Sequence, residues 1–204
     1  EGKWELNGLT WLESDTTLLS GESLVRQILF GVKVFEKKLG FNQTVLFLPD
    51  CFGFTAALPQ LLNQASVKGF VTSKISWSEY TEFPYSTFNW RGIDGSCTLA
   101  HFITTPSSWD NQVSTYTGIS NAHELIGTYE CYKQKDILPH AALHTSGNGD
   151  GGGGVTEDMD WNLHLFAELP KIQGIPGVKF PSLTELFKQI ELQEQHLPVW
   201  DDEL

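Results

Sequence analysis

The stretch Thr44-Val45-Leu46-Phe47-Leu48-Pro49-Asp50-Cys51-Phe52-Gly53-Phe54 decides the fold class. Its first five residues form an apolar run without alternation, which predicts a short strand buried on both faces of a parallel sheet. Asp50 then follows at the carboxyl end of that strand, which is the edge where α/β folds bind ligands. Capping the next helix is an alternative role for Asp50, because aspartate is a favoured N-cap residue. The local sequence leaves both roles open.

The segments on either side of this stretch predict a β–loop–α–β unit. Before it, apolar residues recur at helical spacing over residues 21–39, and Gly40 stands where a helix would end. After it, residues 55–66 are predicted to be helical and residues 69–72 to form the next strand. Two strands connected by a helix in this way lie parallel in one sheet.

The rest of the chain continues the alternation of strands and helices. The sequence predicts strands near residues 86–90, 97–104 and 141–145, and helices within 109–135, at 157–168 and at 183–195. The last helix has the clearest start, because Ser182 and Glu185 have the spacing of a capping box. We therefore expect one α/β domain, or part of one, over residues 1–204.

The composition restricts the classes of partner. Lys and Arg total 13 against 25 Asp and Glu, which gives a formal net charge of −12 at pH 7. Binding to phosphate backbones needs clustered cations, so neither nucleic acid nor an anionic membrane is expected as a partner. No apolar run reaches the roughly 18 residues that span a bilayer. The 3 cysteines are widely spaced, which predicts neither a disulfide framework nor a cysteine zinc site and fits a reducing compartment.

A second candidate carboxylate, Asp150, lies within a glycine run at residues 147–154, after the strand predicted near 141–145. A flexible linker is one interpretation of such a run. A phosphate-binding loop is disfavoured, because the lysine of a P-loop is missing and the neighbouring residues are acidic. Glycines at a strand-to-helix turn would instead let a bulky substrate approach closely while Asp150 points into the site.

Two carboxylates at separate strand ends suggest glycoside hydrolysis, in which one acts as nucleophile and the other as general acid/base. The chain has 25 acidic residues, so accidental pairs are numerous and the pairing alone does not decide the chemistry. His140 and His144 are four residues apart, but in a predicted strand they would be too far apart to share one metal ion. His101 is interpreted as a histidine of the core or of its rim.

Four motifs, in order along the chain, resemble the family-38 glycoside hydrolases, in particular the cytosolic/vacuolar and bacterial α-mannosidase branch. They are GESLVRQ at residues 21–27, LPDCFGF at 48–54 with AALPQ at 56–60, GIDGS at 92–96, and the glycine run at 147–154. The resemblance extends from Trp4 to about Leu204. It implies that residues 1–204 are part of the family's N-terminal catalytic domain, an irregular seven-stranded β/α barrel, with both ends of that domain outside this chain.

The resemblance implies a zinc-dependent retaining α-mannosidase that removes terminal non-reducing α-D-mannose from oligosaccharides. Asp50 matches the family's aspartate that is both nucleophile and zinc ligand, and Asp150 matches the acid/base of this branch. Lys74 falls where the family has a basic residue near the nucleophile, and its charge would help Asp50 stay ionised and would bind substrate oxygens. The residues implied to line the sugar pocket or its rim are Phe52, Trp77 and Asp94.

The family's other zinc ligands match no residue of this chain, so the isolated chain is expected to be inactive. A non-catalytic carbohydrate-binding remnant of the same fold is the alternative function. A serine hydrolase is disfavoured, because no GxSxG motif is present. The resemblance implies a cytoplasmic enzyme, with the vacuole as the alternative compartment, and leaves homo-oligomerisation of the full-length enzyme open.

Overall fold

The structure is a computed structural model that describes residues 4–42, 44–107, 113–169, 172 and 174–204. The described residues form five α-helices and five strands. The helices are α1 (Gly21–Val34), α2 (Leu58–Gln64), α3 (Ala122–Cys131), α4 (Glu157–Glu168) and α5 (Leu183–Glu191), and the strands are β1 (Val45–Phe47), β2 (Gly69–Thr72), β3 (Thr87–Arg91), β4 (Cys97–Phe102) and β5 (Val199–Trp200). None of these helices is both long and apolar enough to cross a membrane.

Local signals in the sequence set the ends of the first and last helices. The Ser20 side chain accepts a backbone N–H of the first turn of α1. Beyond α1 the chain continues as a π-helical turn, Phe35–Leu39, and Gly40 ends it with a φ of 64°, a left-handed conformation that glycine adopts without strain. At α5 the capping box of Ser182 and Glu185 is confirmed. That helix ends at residue 191 and is followed by a short 3-10 turn, so the predicted end at residue 195 is too late.

The five strands form one mixed sheet in the order β1-β2-β4-β3-β5. Strands β1, β2 and β4 are parallel, β3 is antiparallel to β4, and β5 is parallel to β3. In register, Phe70 of β2 lies between Leu46 of β1 and Ala100 of β4. The predicted α/β class is therefore confirmed. The seven-stranded barrel stays a prediction, since the described residues supply five strands.

Apolar side chains cover both faces of the sheet. One cluster includes Leu46, Phe70 and Trp90, and the other includes Val45, Val71 and Phe187. Strands β1 and β2 thus contribute alternate residues to two cores, which confirms that the apolar run is a strand buried on both faces. A side chain added at Gly69 would come within 2.3 Å of the Phe187 ring, so glycine at this position lets α5 pack against the start of β2.

The strand predicted near residues 141–145 does not form. This segment has no regular secondary structure, and the nearest pairing is an isolated bridge between Gly118 and Ser146. Its apolar residues Ala141 and Leu143 belong to or pack against the second core cluster. The apolar residues of this segment therefore pack against one face of the sheet and do not form a strand that pairs within it.

Candidate active site

Asp50 and Lys74 lie together at the edge where β1 and β2 end. Each follows its strand by two or three residues, and because the two strands are parallel their carboxyl ends meet. Lys74 Nζ is 3.3 Å from Asp50 Oδ1. The lysine side chain is 13% exposed and the aspartate side chain 43%, so the ammonium is enclosed while the carboxylate remains open to solvent.

Aromatic rings surround the Lys74 ammonium. Its Nζ lies 3.9 Å from the centroid of the Trp77 ring and 5.5 Å from that of Phe52, distances at which a cation is attracted to the ring face. The two rings meet edge to face, with centroids 6.1 Å apart. The indole N–H of Trp77 donates to the carbonyl oxygen of Ser114 at 2.8 Å, which fixes the ring. Phe52 is 70% exposed and offers an apolar face beside the carboxylate.

Tyr116, which no sequence motif indicates, completes this group. Its hydroxyl hydrogen-bonds to the Asp50 carboxylate, and its ring centroid is 5.8 Å from Lys74 Nζ. Burial, the hydrogen bond to Asp50, and the negative charges of Asp50, Glu13 and Asp150 all raise the pKa of the Tyr116 phenol. The phenol therefore stays protonated and acts as a hydrogen-bond donor to Asp50.

Asp150 lies in an exposed glycine loop whose base is fixed next to Tyr116. The N–H of Gly118 donates to the Thr145 carbonyl at 3.1 Å, and the N–H of Gly147 donates to the Gly118 carbonyl at 3.0 Å. The Thr145 hydroxyl donates to the Tyr116 carbonyl at 2.9 Å. These bonds fix the base of the loop beside the backbone of Tyr116, whose phenol interacts with Asp50. Asp150 follows an irregular segment, and the prediction that it follows a strand end is wrong.

The conformation of the loop depends on its glycines. Gly149, Gly152 and Gly154 have φ values of 63°, 67° and 72°, in the left-handed region that other residues rarely adopt. The loop ends at Thr156, whose side chain caps α4 by accepting the N–H of Met159. The glycine run is thus a turn that hydrogen bonds fix at Gly147 and at Thr156.

Asp94 does not join this site. It lies in the turn that connects β3 to β4, at the end where β4 begins, whereas Asp50 and Lys74 follow the ends where β1 and β2 finish. Its carboxylate accepts hydrogen bonds from the hydroxyl and the N–H of Ser96, and these bonds lower the pKa of Asp94. Its role in this structure is to stabilise a hairpin turn at the opposite edge of the parallel strands.

A network of hydroxyl groups around His144 supports the base of the glycine loop. His144 Nε2 is 3.0 Å from the Ser120 hydroxyl, which also lies 2.5 Å from the Ser146 hydroxyl. On the other side of the ring, Nδ1 is 3.0 Å from the hydroxyl of Thr105. Both ring nitrogens therefore have partners within the fold, which gives His144 a structural role.

We predict that this histidine makes the protein less stable in acid. Burial lowers the pKa of His144 from 6.5 to about 4. Between these pH values the imidazole is therefore protonated in the unfolded chain and neutral in the folded chain. The free energy of unfolding should therefore fall as the pH drops from 6.5 towards 4, by at most about 3 kcal/mol. Denaturant unfolding across this range should show a weaker pH dependence for His144→Gln, and an unchanged one for the exposed His196→Gln. Equal pH dependence in wild type and His144→Gln would contradict the assignment.

An open cleft of about 440 Å³ lies beside the Asp50 carboxylate, within the size range of small-molecule sites. It is lined by Glu13, Asp15, Thr17, Asp50, Cys51, Phe52 and Gly53. Burial, together with nearby carboxylates, raises the pKa of the Cys51 thiol to about 11, so this cysteine is not a nucleophile at neutral pH. The chemistry available in the cleft is that of its carboxylates.

The described residues do not form a zinc site by themselves. Zinc is usually held by four ligands from cysteine, histidine or carboxylate side chains. No group of three or more such side chains converges within the described part of the chain. Asp50 offers one carboxylate, which here pairs with Lys74, so further ligands would have to come from elsewhere.

Comparisons with known proteins agree with the resemblance. The model of the glycosyl hydrolases family 38 N-terminal domain matches residues 1–203. Alpha-mannosidase G of Dictyostelium discoideum is 39% identical over 203 residues, which cover 100% of this chain and 18% of that protein. Alpha-mannosidase of Saccharomyces cerevisiae is 37% identical over 206 residues, covering 97% of this chain and 18% of the yeast protein. The chain thus spans about a fifth of the length of these relatives.

A solved alpha-mannosidase from Enterococcus faecalis has a similar fold. It superposes with a TM-score of 0.64 over 97% of this chain and 22% of its own length, at 22% sequence identity. Identity this low supports the fold alone, whereas the family model matches residues 1–203 and the two curated relatives are 39% and 37% identical to the chain. On these matches, the chain belongs to glycoside hydrolase family 38.

Proposed function

We propose that this chain supplies both catalytic carboxylates of a retaining α-mannosidase that releases terminal non-reducing α-D-mannose from oligosaccharides. Membership of family 38 and relatives named as alpha-mannosidases support the reaction class. The observation that carries the proposal is the group of Asp50, Lys74 and Tyr116 at the sheet edge, with the base of the loop that carries Asp150 hydrogen-bonded to the Tyr116 backbone.

The two carboxylates have different tasks in this reaction. Asp50 attacks the anomeric carbon and the glycosidic bond breaks, while Asp150 gives a proton to the departing oxygen. Asp150 then takes a proton from water, the water attacks the same carbon, and Asp50 is released with net retention of configuration. Lys74 and Tyr116 hold the Asp50 carboxylate, and the exposed ring of Phe52 offers an apolar face to the sugar.

Zinc remains part of the proposal, with Asp50 as one ligand and the others contributed by protein outside residues 1–204. A bound zinc ion would supply a template that holds sugar hydroxyls. Trp77 packs under Lys74 and is proposed to shape the pocket, whereas Asp94, at the opposite edge of the parallel strands, lies outside the proposed site. A cytoplasmic or vacuolar location and homo-oligomerisation stay predictions.

The proposal predicts that a full-length protein carrying this sequence hydrolyses an α-mannoside with retention. Proton NMR during the first minutes of reaction should show α-mannose before it equilibrates to the anomeric mixture. First formation of β-mannose would contradict a double displacement. Binding of mannosides without any turnover would favour the carbohydrate-binding remnant.

The isolated chain of 204 residues is predicted to show no turnover of α-mannosides, with or without added zinc. The donor set that the described residues gather is too small to hold the ion tightly. Hydrolysis assays of the purified chain in zinc-containing buffer, with the full-length protein as the positive control, measure this. Zinc-dependent turnover by the isolated chain would contradict the proposed need for outside ligands.

Tyr116→Phe is predicted to reduce kcat/KM by roughly 10–100-fold, because it removes a hydrogen bond to a charged carboxylate and keeps the ring beside Lys74. Steady-state kinetics with an α-mannoside would measure the loss. Tyr80→Phe is the matched control, since Tyr80 is 89% exposed and should have no effect. Equal activity of the two variants would contradict a role for the phenol.

A further inference from the structure

A short segment before α1 holds the loop that carries Asp50. Three hydrogen bonds join the two stretches in the same order along both. They run from Asp50 N–H to Glu13 Oε1 at 2.9 Å, from the Cys51 thiol to the Ser14 carbonyl at 3.5 Å, and from Thr55 N–H to the Thr16 hydroxyl at 3.3 Å. The loop outside the sheet is therefore fixed by a segment 37–39 residues away in sequence.

The Glu13 bond differs from the other two in its acceptor and in its partner. Its acceptor is a carboxylate oxygen at the end of a two-methylene side chain, so the bond depends on the length of that side chain. Its donor is the backbone N–H of Asp50, which lies in a bend outside the strands. Among the described residues, the Glu13 carboxylate makes no other hydrogen bond. Among the described residues, the residue proposed as the nucleophile is therefore the hydrogen-bond partner of this carboxylate.

Asp50 is consequently held at two points. Lys74 and Tyr116 contact its carboxylate, and Glu13 fixes its peptide. If the peptide were released, the carboxylate could turn towards Lys74 and away from the cleft. A displacement of about 1 Å at a reacting group can cost roughly 100-fold in rate.

We propose that Glu13 is a positioning residue that sets the direction of Asp50 attack through the Asp50 N–H. This inference rests on the proposed function, in which Asp50 is the nucleophile. Glu13 acts through the reach of its acceptor oxygen to the peptide, and its negative charge is not what the reaction requires. If the reach of the side chain matters, Glu13→Asp should lose activity and Glu13→Gln should keep it. If the negative charge matters, the opposite result is expected.

Glu13→Asp keeps the charge and is one methylene too short to reach the Asp50 N–H, whereas Glu13→Gln loses the charge and keeps an acceptor oxygen at the right distance. In the full-length protein, with an activated aryl α-mannoside, Glu13→Asp should lower kcat by roughly 10–100-fold with KM within about threefold. Glu13→Gln should retain kcat within about threefold of wild type. The matched controls are Glu22→Asp and Glu22→Gln, because Glu22 is an exposed glutamate that pairs with Arg26 on α1.

A kcat near the wild-type value in Glu13→Gln, together with a loss of kcat in Glu13→Asp, supports the proposal. A general structural defect at this position would not spare the glutamine variant alone. Full activity in both variants, equal loss in both, or a loss confined to Glu13→Gln would each overturn it. Thermal midpoints of the variants, measured in parallel, show whether each is folded. An inactive wild type would overturn the proposed function and this inference with it, while an active wild type with unchanged Glu13 variants overturns this inference alone.

Discussion

Asp50→Ala is expected to abolish hydrolysis of every α-mannoside, with a loss of roughly 10,000-fold or more in kcat. The carboxylate is the group that forms the bond to the anomeric carbon, so its removal leaves the first displacement without its nucleophile. Cys51 is adjacent but is held as a thiol, because burial raises its pKa to about 11. The loss should therefore be the same for natural disaccharides and for activated aryl mannosides.

The matched control for this variant is Asp94→Ala. Asp94 lies at the opposite edge of the parallel strands, so its loss should leave kcat and KM unchanged. The Asp50 substitution also leaves the enclosed Lys74 ammonium without its carboxylate, so the thermal midpoint must be compared before the loss is assigned to chemistry. Turnover by a folded Asp50→Ala protein within tenfold of wild type would remove Asp50 from the mechanism.

Asp150→Ala should distinguish substrates by their leaving groups. A natural disaccharide needs a proton on its departing oxygen, and removal of the acid should cost roughly 100–10,000-fold. An aryl mannoside with a good leaving group needs little acid help, so its first step should lose far less. The second step then lacks its base, so the glycosyl-enzyme should accumulate and the burst of released phenol should be visible by stopped-flow absorbance.

Azide should restore turnover of Asp150→Ala, because azide attacks without being deprotonated. The product should be a mannosyl azide with the configuration of the substrate. The same anion should not rescue Asp50→Ala by this route. Rescue of Asp50→Ala with a mannosyl azide of the substrate's configuration, together with rescue of Asp150→Ala only as an inverted product, would show that the two roles are assigned the wrong way round.

The sequence predicts elements well where the deciding forces are local or where a strand is buried on both faces. The run at residues 44–48 and the capping box of Ser182 and Glu185 are examples. The strand predicted at 141–145 is wrong because its apolar residues face a core without joining the sheet. Strand β5 has two residues, and its pairing with β3 gives no periodic signal in the sequence.

The residues of the candidate site likewise fall into those that the sequence predicts and those that it does not. Asp50 and Lys74 could be expected together, because parallel strands bring their carboxyl ends to one edge. Asp94 was expected at the rim of the pocket and lies instead in the turn between β3 and β4, a position that Asp94-Gly95 between two strands predicts, because this dipeptide is the usual signal of a hairpin turn. Tyr116 and Glu13 come from segments 66 and 37 residues away from Asp50, and only tertiary folding brings them to it.

The most direct test of the proposed double displacement is to identify the residue that carries mannose during turnover. Asp150→Ala full-length protein would be mixed with an activated aryl α-mannoside, quenched in acid during the burst, digested and analysed by tandem mass spectrometry. If Asp50 is the nucleophile, one mannosyl group will be found on the peptide that contains Asp50, attached to the Asp50 carboxylate, and none in the Asp50→Ala protein. A mannosyl group on any other residue, or none while the burst proceeds, would contradict the assignment of Asp50 as the nucleophile.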